Sequence, residues 1–197
     1  MAALRKPDLQ VKKRYTYADY CAWDDDERWE LIDGVPYAMA APLVRHQGAL
    51  SGFHLQIGNF LRKKSCEVFF APIDVRLNAD TKDNTVVQPD LLVVCDKSKI
   101  DEKSIIGAPD MIVEILSPST ASYDMIKKFM LYLNANVLEY WIVDPETGTV
   151  IVNILNDGTY SAKAYDKTSV VPISVLEGCS VDLSEVFDEA EEDILTE

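Results

Sequence analysis

Two short apolar runs constrain this fold more than any other feature of the chain. They are "QPDLLVVC" at residues 88–95 and "PDMIVEIL" at 109–116. Each is too short for a core helix and too uniformly apolar for a strand with one wet face. They read as central strands buried on both sides, which places them inside a layered α/β or α+β domain. Each run also carries an acid, Asp90 in the first and Glu114 in the second. A carboxylate in such a setting is costly unless it meets donors, a basic partner or a cation.

The flanking segments supply the other layers. "TYADYCAW" reads as a short helix capped by Thr16. "RWELIDGVPYAM" reads as a hairpin turning at Asp33-Gly34, and "TVIVNILNDGTYSAKAY" as one turning at Asp157-Gly158. Between His46 and Lys64, the residues Leu50, Phe53, Ile57, Phe60 and Leu61 recur at helical spacing. Gly48 and Gly52 would let that helix approach a neighbour closely. "CEVFFAPIDVRL" and "TVVQPDLLVVC" read as one strand each, and "LEYWIVDP" as another. A second helix is expected over about 120–135, with Met125, Ile126, Phe129, Met130 and Leu133 as its apolar face. The remainder reads as irregular. The expected architecture is a mixed β-sheet flanked by helices, with an N-terminal and a C-terminal hairpin.

At 197 residues, 48% of them hydrophobic, the chain suits one domain, here 16–181, between a basic arm (1–15) and an acidic tail (182–197). No apolar stretch reaches the roughly 20 residues that span a bilayer. With no secretory signal at the N-terminus, the chain is expected to be cytoplasmic. Cys21, Cys66, Cys95 and Cys179 form no CxxC pair and read as reduced, mostly buried thiols. The net charge of −14 argues against a broad basic footprint for nucleic acid. Eight of the acids lie in 182–197, and without them 19 bases against 25 acids leave −6.

Asp90 and Glu114 together suit a hard divalent cation. Mg²⁺ takes one or two carboxylates and keeps water and phosphate oxygens in its other positions. Asp110 is a poor alternative: four residues before Glu114 in an extended strand puts it about 13 Å away. It reads as a solvated turn residue. His54 lacks a partner at HExxH spacing, and there is no phosphate loop, GxSxG or GxGxxG.

Taken in order, "ELIDG", "RHQ", "DVRL", "QPDLLVV", "PDMIVEILSPST", "YDMIKKFMLY" and "EYWIVDP" cover about residues 16–145. This set resembles the Uma family of the restriction-endonuclease-like superfamily, whose PD-(D/E)XK signature puts two acids on neighbouring strands. The resemblance implies a Mg²⁺-dependent endonuclease, with Mn²⁺ as substitute, acting on DNA phosphodiesters. Asp90 and Glu114 match the two acids, and Glu30 an added metal-binding acid, though on its strand Glu30 also reads as a solvent-facing glutamate. The signature lysine is replaced by Leu116, and Lys128 matches the relocated lysine of the family. Helical geometry alone gives Lys128 another role. At 100° per residue it lies about 130° from the centre of the apolar face, where Asp124 and Lys128 would form a surface pair. His46 and Gln47 match a family motif implying substrate contact, though His46 also suits a structural cap. Asp74 reads as an edge acid near Arg76. A homodimer, with one site per DNA strand, follows by analogy, using the apolar Val150, Val152 and Ile154. Two other classes stand beside this one: an interaction module with a nuclease fold, and a metal-dependent hydrolase of another phosphate ester.

Overall fold

In a computed structural model, residue 7 and residues 13–24, 26–117 and 123–187 are described. Most of the basic arm, residues 118–122 of the "SPST" segment and its continuation, and the acidic end from 188 lie outside them. So do the side chains of Tyr123, Asp124 and Met125.

Thr16 caps α1 (Tyr17–Tyr20) in a reciprocal box with Asp19. The first hairpin pairs β1 (Trp29–Ile32) with β2 (Val35–Ala38), and Asp33 and Gly34 both take positive φ at the turn. Next come α2 (Val44–Leu61), β3 (Glu67–Phe70), β4 (Asp74–Arg76), β5 (Val86–Val87), β6 (Leu91–Val94), β7 (Ser104–Ile106), β8 (Met111–Ile115) and α3 (Tyr123–Asn134). The chain continues through β9 (Glu139–Asp144), β10 (Thr149–Asn156), β11 (Thr159–Tyr165), β12 (Val170–Pro172), β13 (Ser180–Asp182) and α4 (Leu183–Val186).

The main strands form two mixed sheets, ordered β2-β1-β5-β4-β7 and β11-β10-β9-β8-β6-β3. The segments 66–77 and 85–95, each expected as one strand, both break and change sheet. The breaks fall at Pro72 and Pro89, which have no N–H to give a ladder. Thus β3 and β6 lie in the six-stranded sheet, and β4 and β5 in the other.

Alternation explains the continuous apolar runs. Leu91, Val93, Met111, Val113, Ile115, Trp141 and Val143 face one core, which α2 covers with Leu50, Phe53 and Ile57. Leu92, Val94, Ile112, Tyr140 and Ile142 face a second core, shared with Ile32, Val75, Val87 and Ile105 of the other sheet. The central strands are therefore covered on both faces. The part expected to be irregular carries regular elements as far as Val186. Strands β12 and β13 pair and, with α4, pack on α2, where Gln56 Nε2 donates to the Asp182 carbonyl and Gln56 Oε1 accepts from Asp182 N–H.

Of the two helix glycines, Gly52 makes the close approach and Gly48 faces open space. A Cβ at 52 would stand 3.0 Å from Val186 Cα, a backbone atom. Gly52→Ala is therefore expected to cost about 1–3 kcal/mol by pushing α4 off α2, read as a lower urea midpoint at unchanged slope.

Several expectations fail for physical reasons. Cys66 and Cys95 form a disulfide, because antiparallel pairing of Glu67 with Val94 sets them opposite each other across 29 residues of sequence. Cys21 is exposed and Cys179 buried. Val150 and Val152 are core, so the late hairpin offers no dimer face through them. Asp110 is half-buried, its Oδ2 accepting from Cys95 N–H at 2.7 Å. Asp74 accepts from Tyr20 Oη and Gln88 Nε2, while Arg76 pairs with Asp83. The apolar face assigned to α3 is rotated. Ile126 is 68% and Met130 48% exposed, while Tyr132 is buried and Phe129 and Leu131 are half-buried. No helix among the described residues is long and apolar enough to cross a membrane.

Glu139 is fully buried on β9 and accepts from Trp141 Nε1 and Val175 N–H. Burial pushes its carboxyl above the ordinary 4.5, against those two bonds. The native protein then keeps this proton at pH values where the unfolded chain has lost it. Stability from this group falls as pH rises from 4.5 through the raised native value. Glu139→Gln is expected to flatten that decline, read by comparing urea midpoints of the two proteins across the window.

Candidate active site

The β6–β8 ladder places the two acids. It pairs Leu91 with Val113 and Leu92 with Ile112, and Asp90 stands one residue before β6, where the same register carried on would bring it opposite Glu114. Facing residues of an antiparallel pair have Cβ atoms about 4.5–5.5 Å apart. Among the described residues, each carboxylate is held through one oxygen. Asp90 Oδ2 accepts from Ile115 N–H at 2.7 Å and lies 3.1 Å from His46 Nε2. Glu114 Oε1 accepts from Lys128 Nζ at 3.0 Å and from Tyr132 Oη at 2.6 Å.

Lys128 is not the surface lysine of the helical projection. One turn apart on α3, Lys128 and Tyr132 point together into the sheet, and Lys128 Nζ bridges Glu114 Oε1 and Glu30 Oε1, both at 3.0 Å. Glu30 sits on β1, 6% exposed, and its Oε1 also accepts from Gln88 N–H. Trp29, Leu31 and Ile32 are buried beside it, so β1 has no solvent face to which Glu30 could turn.

The charges follow from this packing. Burial pushes the Glu114 carboxyl up to about 7; Lys128 opposes that, and the Asp90 and Glu30 charges add to it. Burial works against the Lys128 ammonium, but Glu114 and Glu30 more than offset it and hold it above the ordinary lysine range. Burial also disfavours a charged His46, yet the Asp90 bond and charge raise its pKa overall. Lys128 and His46 are thus the basic groups set among three acids, Glu30, Asp90 and Glu114.

A cavity of about 230 Å³ opens over the cluster, with Glu30, Asp90, Glu114, Lys128, His46 and the exposed Gln47 on its walls. A second cavity of about 300 Å³ shares His46, Leu116 and Ser117 with it. Among the described residues, no three His, Cys, Asp or Glu side chains converge closely enough to hold an ion. Glu30, expected as a third metal ligand, has its Oε1 engaged by Lys128 and the Gln88 amide. The pair Asp90 and Glu114 still fits Mg²⁺, which needs only one or two protein carboxylates of hard oxygen character.

Residues 16–184 match the model of the Uma2 family, described as "Putative restriction endonuclease". The chain belongs to the Uma2 family. The uncharacterized protein slr1290 of Synechocystis sp. is 29% identical over 135 residues, covering 68% of this chain and 70% of that protein. A crystal structure from Anabaena variabilis, described as a putative nuclease belonging to DUF820, superposes with a TM-score of 0.72. It shares 20% identity, over 88% of this chain and 98% of that one. The Uma2 chain and that protein share a fold, a mixed α+β architecture.

Tyr132, Gln88 and Arg28 escaped the sequence reading. Tyr132 alone left a signal, as the i+4 neighbour of Lys128 on one helix face.

Proposed function

We propose that the cavity hydrolyses phosphodiesters of DNA with a divalent cation, Mg²⁺ or Mn²⁺, held by Asp90 and Glu114. The observation that carries this reading is that Asp90 and Glu114 both wall the one cavity, with Lys128 Nζ 3.0 Å from Glu114. When bound, the cation supplies charge neutralisation at the attacked phosphate and activation of water. The protein's own groups do the rest. His46 and the Ile115 amide fix the Asp90 carboxylate through Oδ2, leaving Oδ1 for a ligand. Tyr132 and Lys128 fix Glu114 through Oε1 in the same way. Glu30 anchors Lys128 from the opposite side and sets where its ammonium points. Held firmly protonated, Lys128 acts as a donor to a phosphate oxygen and not as a base.

Plasmid and single-stranded DNA incubated with Mg²⁺ should be cut, with no cutting in EDTA. Intact DNA, alongside a protein whose melting temperature still rises with metal, would redirect the reading to another phosphate ester. The net charge of −14 favours that second reading for long duplexes, which repel an acidic surface. A homodimer that cuts both strands remains part of the proposal, through a face other than Val150 and Val152.

A further inference from the structure

The acids occupy one part of the cavity, and Arg28 occupies another. Met39 N–H donates to the Arg28 carbonyl at 2.8 Å, which continues the β1–β2 ladder past Trp29. Arg28 and Glu30 therefore lie on one face of the same extended chain, about 7 Å apart along it, and both line the cavity. The guanidinium is held by its Nε and Nη2, which donate to Gln88 Oε1 at 3.1 and 2.7 Å. Gln88 cannot be turned the other way. Its Nε2 donates to Asp74 Oδ1 at 3.0 Å and to Tyr20 Oη at 3.1 Å, and a carboxylate accepts only from the NH₂ end. The amide oxygen is thereby committed to Arg28. Among the described residues no acid pairs with this guanidinium, and its orientation is set by a neutral amide before a ligand arrives.

A second cation stands on the same cavity. Lys127 Nζ lies 3.6 Å from the ring centre of Tyr37, the residue paired across from Glu30. Its charge is also shared with a neutral group. The cavity is thus acidic around Lys128 and basic at Arg28 and Lys127.

We propose that Arg28, supported by Lys127, binds a phosphate of the substrate strand adjacent to the one attacked. This rests on the cavity being the reaction site, and it names what holds the strand there. A planar fork of donors is the group that matches phosphate oxygens, and it would compensate for the acidity of the rest of the molecule.

The test is the salt dependence of binding of a fluorescein-labelled single-stranded oligonucleotide, with Ca²⁺ in place of Mg²⁺ to slow cleavage. Arg28→Ala should weaken binding about tenfold and reduce the slope of log K against log salt by about 0.7, the value for one lost single-strand phosphate contact. Lys97→Ala removes the same charge from the outer surface, where Lys97 pairs with Glu67, and should leave the slope unchanged. An Arg28→Ala slope equal to that of the parent protein would overturn the assignment while leaving the metal site standing. No binding of the oligonucleotide by the parent protein would overturn the assignment together with the nucleic-acid reading on which it rests.

Discussion

Lys128→Met should be the most damaging single change at the site, in stability and in activity together. The substitution keeps most of the side-chain volume and removes the ammonium that bridges Glu30 and Glu114 at 3.0 Å. Two buried carboxylates are left without their cation, and breaking a buried pair in this way costs about 3–5 kcal/mol. The loss should depend on pH. The Glu114 carboxyl, already pushed up to about 7, loses the group that pulled it down and rises further. The native variant then binds a proton that the unfolded chain has released, so its stability falls as pH rises and recovers toward pH 5. Melting scans across that range, on the variant and its parent, check the sign. Glu30→Gln in the same background should restore part of the stability by removing one of the two charges. It should not restore cleavage. Loss of a fixed donor at the developing phosphate charge should lower kcat by about 10²–10³-fold.

Asp90→Asn is the second. Asparagine keeps an oxygen for the Ile115 N–H, so the fold should survive with a small change in melting temperature. The carboxylate is gone, and with it half of the pair. The parent protein should gain about 2.7 kcal/mol at a metal concentration 100 times Kd, and the variant nothing. DNA cutting should vanish with the metal response. A variant that still melts higher in Mg²⁺ would remove Asp90 from the site.

What the sequence made legible was burial that polar residues interrupt. Asp90 and Glu114 stood out because each follows or breaks a run of valine, leucine and isoleucine. That their strands are neighbours was legible, but not the direction or register of the pairing, which the structure supplies as antiparallel. Helical projection alone misplaced Lys128, which the family resemblance had matched to the site, for a converse reason. Apolar periodicity on α3 is dominated by residues such as Ile126 and Met130 that face solvent, whereas the inward side is built from Lys128 and Tyr132, which bury polar groups against carboxylates. Hydropathy cannot register a lysine that is buried because two acids compensate it. The changes of sheet at Pro72 and Pro89 were written in the sequence as prolines inside strand-like runs. The Cys66–Cys95 bond was not, since it depends on the register of β3 against β6. The Arg28–Gln88–Asp74 chain was equally hidden, because its members come from three strand segments that only the five-stranded sheet assembles.

Anomalous scattering from a crystal grown in Mn²⁺ tests the metal assignment most directly. The expected map has a peak between the Asp90 and Glu114 carboxylates, at bonding distance from an oxygen of each, with Lys128 Nζ still beside Glu114. A saturated crystal with no ion between those two side chains, or with its ion bound elsewhere, would contradict it.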